Sequence, residues 1–255
     1  MKKVFIVGIN GKMGKVLTEV APEYGYSVSG GYDAQPAADV FNDADKVNVE
    51  FDAIIDFSRP EALSAVIALA KKHKTPVVIA TTGYTDVQLK QIDELSESVP
   101  VFRSANMSLG VAAAKAAAKT AQAILGDAFD IEIVEKHHNQ KADSPSGTAL
   151  LLADALCAKD KQVFGRNGKR NVGEVGIVSV RGGGVVGEHE IGFYGSDETV
   201  TVSHSARSRR LFAAGAYKAA EYLSGKKSGL YDMDDLVAGR PAAAFTAIST
   251  MPRAS

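Results

Sequence analysis

The sequence predicts an α/β protein: a Rossmann-type doubly wound parallel sheet followed by a mixed α+β second domain with a largely antiparallel sheet. Three observations carry that expectation. The chain opens as strand, glycine loop and helix; short β-branched runs then alternate with helical patterns to about Ser104; past Asn106 strands follow one another with few helices.

Strands are expected at Val4–Val7, Val28–Tyr32, Ala53–Phe57, Val77–Thr81 and Val101–Arg103. Between the first two, Met13, Val16, Leu17, Val20 and Ala21 recur with the spacing of one buried helix face. Pro60–His73 reads as a helix with proline in its first turn, where a missing N–H costs nothing, and Asp86–Ser96 as another. An Ala-rich helix over Val111–Leu125 leads into a strand at Asp130–Lys136, and a helix is expected to start at Ser146 and end near Ala158. Gly176–Arg181, Glu188–Tyr194 and Thr199–Ser205 alternate with the period of two that marks a half-exposed sheet. A last helix, Leu211–Leu223, crosses back. Residues 1–107 completed by 212–237 form the expected dinucleotide-binding domain, and residues 108–211 the substrate domain. The stretch 238–255, rich in Ala and Pro, reads as a tail that is flexible or an addition.

The 255 residues suffice for two modest domains, and 45% hydrophobic with 23% charged residues is an ordinary globular balance. A net charge of -1 supplies no general attraction to nucleic acid or to an anionic membrane. Cys157 is the one cysteine, which excludes a disulfide framework and a thiolate metal cluster. The apolar run after Met-Lys-Lys is too short for a signal peptide, and no segment approaches the roughly 18 apolar residues of a membrane span. A cytoplasmic location is expected.

Gly8, Gly11 and Gly14 form G-x-x-G-x-x-G between the first strand and the first helix. Glycine permits the tight turn, lets backbone N–H groups approach a pyrophosphate and lets the helix pack close to the strand. Asp33 follows about 20 residues beyond, where an acid accepts hydrogen bonds from ribose hydroxyls. Ala34 then stands where arginine would favour a 2′-phosphate, while Lys12 is within reach of a phosphate, so NADH and NADPH both stay open. Ser58–Pro60, Thr81–Gly83 and Ser104–Met107 follow later strands, at the ends where open parallel sheets bind ligands.

The stretch Glu135–Ala149, EKHHNQKADSPSGTA, holds two of the five histidines, Lys141 and a Ser-Pro-Ser-Gly-Thr helix start. His137 and His138 point to opposite faces if the strand continues through them, so they do not chelate one metal, and no metal is expected. A histidine there can act as a general acid and a lysine can donate a proton or hold a carboxylate. The N–H groups after Ser146 and Gly147 suit an anion, whereas a plain capped turn is the alternative. His204, on an apolar strand face, and Cys157 read as structural. Arg207, Arg209 and Arg210 lack the aromatic platform of a nucleic-acid site.

With these motifs, joined by GINGKMG, DFSRPE at Asp56–Glu61, ATTGY at Ala80–Tyr84 and RGGGVVGEH at Arg181–His189, the chain resembles the dihydrodipicolinate reductases over Lys2–Val237. The resemblance implies that NADH or NADPH reduces a small cyclic imine dicarboxylate, 4-hydroxy-tetrahydrodipicolinate, in the diaminopimelate route to lysine. It implies His137 and Lys141 as proton-handling residues, and His138, Ser146, Gly147 and Thr148 as substrate contacts. The cofactor stretches would be Gly8, Ile9, Asn10, Gly11, Lys12 and Met13; Asp33; Ala80, Thr81 and Thr82; and Ser104, Ala105, Asn106 and Met107. It also implies a homotetramer built by the second domain. Ala80 departs from a glycine common in the family, Ala34 from an arginine of some members, and the tail runs past the usual end. Another two-domain nicotinamide dehydrogenase, or a protein that senses NAD(H) without turnover, would share the glycine loop but leave the His-Lys segment without a use.

Overall fold

The structure, a computed structural model, describes residues 1–238; all of the expected tail but Ala238 lies outside the described residues. The chain divides into two compact units, Met1–Met107 with the segment from Ala213 onward, and Ser108–Phe212.

The first unit is a seven-stranded sheet. Its elements are β1 (Lys2–Val7), α1 (Lys12–Val20), β2 (Tyr26–Tyr32), β3 (Val40–Phe41), β4 (Ala53–Asp56), α2 (Leu63–His73), β5 (Val77–Ile79), α3 (Asp86–Ser96) and β6 (Pro100–Arg103). β12 (Gly229–Tyr231) and α7 (Met233–Ala238) close it. Strand order is β12-β6-β5-β4-β1-β2-β3 with every pairing parallel. Order therefore reverses between β1 and β4, which is where a doubly wound sheet opens a crevice at its carboxyl ends.

Val4–Val7 is buried on both faces, so its apolar run does not alternate. Gly14, Leu17 and Val20 bury one face of α1, which stops where Pro22 begins a 3₁₀ turn closed by left-handed Gly25. α2 starts after a 3₁₀ turn at Pro60–Ala62 and ends with Lys71, Lys72 and His73 in its last turn, where positive charge suits the helix dipole. A reciprocal capping box between Thr85 and Gln88 sets the start of α3. The edge strands β3 and β12 went unread in the sequence: at two and three residues they are too short for any periodicity and exist through pairing with β2 and β6.

The second unit contains α4 (Leu109–Leu125), β7 (Asp130–His137), α5 (Gly147–Asp154), β8 (Gln162–Phe164), β9 (Val175–Arg181), β10 (Gly187–Tyr194) and β11 (Thr199–Ala206). α6 (Arg210–Leu223) begins in it and continues in the first unit. Strand order is β11-β10-β7-β9-β8. The β10 pairings are antiparallel, whereas β9 runs parallel to β7 and β8 because the chain crosses through α5 between them, so the sheet is mixed in orientation. α5 ends at Asp154, a turn earlier than expected, and the short β8 was also unread.

Register sorts the covered face of this sheet into rows. Val175, Ile131, Phe193 and Val200 stand side by side, then Ile177, Ile133, Ile191 and Val202. With Ala118 of α4 and Ala149, Leu152 and Ala153 of α5 these rows make the apolar core. The next row is Ser179, Glu135, His189 and His204, and beyond it Arg181 pairs with His137. One face thus passes from apolar to polar along β7. Opposite, Arg166 and Arg170 both bind Glu132, tying the loop after β8 to the strand.

In the first unit Tyr217 of α6 is fully buried, stacks on Tyr24 and donates to the Leu17 carbonyl at 2.8 Å. Tyr217→Phe should cost about 1 kcal/mol for the lost hydrogen bond, and Tyr217→Ala about 3–5 kcal/mol for the cavity, read as shifts in the urea unfolding midpoint.

Candidate functional site

Two groups of residues are drawn together, one in each unit. In the first unit Gly8 sits at the end of β1 with φ +81, and a Cβ there would lie 2.6 Å from the Phe57 carbonyl oxygen. A Cβ at Gly14 would stand 2.3 Å from the Gly8 carbonyl oxygen, so only glycine lets α1 start this close to the loop. Asp33 turns toward the same loop and accepts from Asn10 N at 3.0 Å through Oδ2, while the Asn10 side chain donates to Gln35 O at 3.1 Å. No side chain caps α1, since Gly11 is its N-cap, and its first turn carries no acid. Such a glycine cradle, with first-turn N–H groups left for an anion and a carboxylate beside it, fits a dinucleotide.

The neighbouring strand ends are tied by Asp56, a fully buried carboxyl at the end of β4 that sequence reasoning passed over. It accepts from Ser58 N at 3.1 Å, from the Ser58 hydroxyl and from Tyr84 Oη at 3.2 Å, and Thr81 Oγ1 accepts from Ser58 N at 2.9 Å. Burial pushes the Asp56 carboxyl up, against the pull of hydrogen bonds from Ser58, Thr81 and Tyr84. Ser104 Oγ donates to Asn106 O at 2.8 Å and closes the turn after β6. The Met107 side chain is buried.

In the second unit the centre is Glu135, with no exposed surface. Its Oε2 is 2.5 Å from His137 Nδ1 and 2.7 Å from Arg181 Nη1; its Oε1 accepts from Arg181 Nη2 at 2.7 Å and from Ser146 N at 3.0 Å. Burial by itself raises this carboxyl, but the hydrogen bonds from Arg181, Ser179, His137 and the Ser146 backbone outweigh it and hold it at about 2. Ser146 Oγ caps α5 by accepting from Ala149 N at 3.1 Å and shares a hydrogen bond with His189 Nε2 at 3.0 Å. His189 stands edge-on to His137, ring centres 5.1 Å apart. Burial first, and the nearby His137 second, push His189 down to about 4. His204, set aside as structural, lies 3.4 Å from the oxygen of Ser108, the N-cap of α4.

Lys141 Nζ is 2.8 Å from Asp143 Oδ1. The Asp143 carboxyl is held below the usual range by the hydrogen bond from Lys141 first, with the backbone N–H of Gly147 a minor cause. Arg181 Nη2 donates to the Asp143 carbonyl oxygen at 2.7 Å, which joins the Lys141 turn to Glu135.

The family models for the N-terminus and the C-terminus of dihydrodipicolinate reductase match residues 2–107 and 110–237. The chain belongs to the dihydrodipicolinate reductase family. It is thereby an oxidoreductase that uses a nicotinamide cofactor, in the lysine and diaminopimelate pathway. A 4-hydroxy-tetrahydrodipicolinate reductase of Caldanaerobacter subterraneus is 48% identical over 248 residues, covering 93% of this chain and 98% of the relative. One of Clostridium novyi is 46% identical over the same length and shares. The solved structure of a dipicolinate-bound dihydrodipicolinate reductase from Paenisporosarcina has a TM-score of 0.77 at 24% identity, over 91% of this chain and 97% of that one, and shows the shared fold.

Of the residues that the dihydrodipicolinate reductase motifs single out, His137 and Ser146 meet on Glu135, and Lys141 pairs with Asp143. His138 is half-buried one position past the end of β7, its side chain outside this network, and Thr148 is half-buried in the first turn of α5. At the start of α5 Glu135 takes the Ser146 N–H and the Ser146 hydroxyl that of Ala149. Glu135, Arg181 and His189 were missed as participants. Their signal was the period of two, since Ile131, Ile133, Glu135 and His137 share one strand face. Among the described residues no group of His, Cys, Asp or Glu is placed to hold a metal, and no helix is long and apolar enough to cross a membrane.

Acid should weaken this unit in two windows. His189 is depressed from 6.5, so its contribution to stability is present above that value and is lost as pH falls through about 4; His204 is shifted the same way. Glu135 is depressed from 4.5, so its contribution is lost as pH falls through about 2. Urea midpoints against pH should flatten between 6.5 and 4 in His189→Gln and between 4.5 and 2 in Glu135→Gln; a wild-type slope in either variant assigns the loss to other groups.

Proposed function

We propose that the protein reduces 4-hydroxy-tetrahydrodipicolinate to tetrahydrodipicolinate, with water lost, and that the unit of Gly8, Gly14 and Asp33 binds the dinucleotide. The carrying observation is that His137 and Lys141, the two proton-handling side chains of the family motif, are held by the carboxylates of Glu135 and Asp143, and that Arg181 joins the Glu135 carboxylate to the Asp143 main-chain carbonyl. A nicotinamide supplies a hydride to the ring carbon. The hydroxyl leaves as water with a proton from the neighbouring ring carbon, His137 supplies the one proton that accompanies the hydride, and Lys141 is the second proton-handling group, so that hydride and proton enter and water leaves. His138, Gly147 and Thr148 receive the two substrate carboxylates. Gly8, Ile9, Asn10, Gly11, Lys12 and Met13 line the pyrophosphate, with Ala80, Thr81, Thr82 and Ser104, Ala105, Asn106 toward the nicotinamide.

NADH is the preferred form. At the end of β2 stand a carboxylate, Asp33, and then Ala34, with alanine in place of an arginine and a like charge to repel a 2′-phosphate. A homotetramer is supported by the apolar side chains Val178, Val180 and Tyr194, which are exposed on the second sheet. A cytoplasmic location agrees with a route built on soluble intermediates.

The test follows NADH or NADPH oxidation while a synthase forms the substrate from pyruvate and aspartate semialdehyde. His137→Gln and Lys141→Ala should each lower kcat by about 10²–10⁴-fold. A folded, dinucleotide-binding protein that oxidises neither cofactor is instead a sensor, or a dehydrogenase of another substrate. In the same assay kcat/KM should favour NADH by about tenfold, equivalent to about 1.4 kcal/mol, and Asp33→Ala should erase the preference; equal use by the wild type rejects the role given to Asp33.

A further inference from the structure

We propose that Glu135 is the positioning residue of His137: its carboxylate, clamped by Arg181, holds the imidazole as the Nδ1–H form, so the proton exchanged with substrate is the one on Nε2. The proposal rests on the reading of His137 as a proton donor. The argument starts from which groups around Glu135 can only donate. Arg181 puts one N–H on each carboxylate oxygen, at 2.7 Å both times, and Ser146 adds its backbone N–H to Oε1 at 3.0 Å. Neither a guanidinium nor an amide N–H can accept. A two-pronged contact from arginine is the geometry of an ionised carboxylate, and an ionised carboxylate accepts at every oxygen. The remaining contact, 2.5 Å between Oε2 and His137 Nδ1, must then be donated by the ring. Burial gives water no access to exchange that bond, because Glu135 has no exposed surface.

The opposite ring nitrogen is left for chemistry. The strand that passes His137 presents Gly187 to it, and a Cβ at Gly187 would stand 2.9 Å from Nε2. Any larger residue there would crowd the nitrogen that has to meet the substrate. His189, also on β10, is no rival donor: it is buried, and its Nε2 is engaged with Ser146 Oγ. The charged or titratable groups around the ring are therefore Glu135 on β7, Arg181 on β9, His189 on β10 and Lys141 on the loop after β7. Only Glu135 is bonded to the ring. When Nε2 gives up its proton, the neutral ring keeps Nδ1–H on Glu135 and stays in place for reprotonation.

The deciding measurement is a long-range ¹H–¹⁵N correlation of the imidazoles in full-length, uniformly labelled protein, with His137 assigned by its loss in His137→Gln. Above its titration His137 should show a protonated Nδ1 and an unprotonated Nε2; the reverse tautomer in the wild type overturns the proposal, whether or not any variant folds. Glu135→Gln should shift the ring toward Nε2–H, lower kcat about 100-fold with KM within about threefold, and move the alkaline limb of the kcat profile, where the donor loses its proton, to lower pH. Arg181→Lys, which keeps a cation on the carboxylate, should retain the tautomer and lose less than about tenfold in kcat. An unchanged kcat and pH profile in folded Glu135→Gln overturns the positioning role. Full activity of His137→Gln would instead fault the reading of His137 as donor, an outcome the tautomer measurement does not depend on.

Discussion

A carboxylate with no exposed surface cannot remain charged unless the protein surrounds it with donors, and Glu135 imposes that demand on the whole second unit. Arg181 must reach it from β9, Ser146 must present its N–H from the start of α5, and His137 must turn its Nδ1 inward from the same strand. Each donor also has a second duty. Arg181 holds the Asp143 carbonyl, Ser146 caps α5 and meets His189, and His137 stands edge-on to His189. Neutralising one buried charge and assembling the polar end of the sheet are thus the same arrangement.

That arrangement is possible because register carries the strands past the core without a break. Two cross-strand rows on the covered face are aliphatic or aromatic and anchor α4 and α5; the next two rows are polar and lie in line with them. Close packing of the first rows leaves the polar rows little freedom to shift, which is how a hydrophobic core confers sub-ångström order on chemistry at its edge. A slip of one residue in β7 would send Glu135 and His137 to the opposite face.

The two helix starts differ in how their donors are met. α1 begins with a glycine cap and no acid, and no side chain caps its first turn; α5 begins with the Ser146 N–H on Glu135 and the Ala149 N–H on the Ser146 hydroxyl. Groups of the chain thus satisfy part of the start of α5, whereas a glycine start such as that of α1 leaves donors for an anion.

What the sequence by itself determined is everything that depends on near neighbours in the chain. The glycine loop, the buried face of α1, the extent of α3 and the alternation along β7, β10 and β11 are local patterns, and each was legible because a turn, a helix or a strand face is set within a few residues. The family motif likewise singled out His137 and Lys141. What only the tertiary structure decided is pairing across distance. Arg181 meets Glu135 from 46 residues away, and His189 meets Ser146 from 43, through strand register that no local pattern encodes. The two-residue β3 and three-residue β8 and β12 exist because an edge of a sheet offers hydrogen bonds, not because their own residues demand a strand. The start of α5 turned on the same point: its serine cap can be read from the sequence, but folding decided that Glu135 takes the Ser146 N–H.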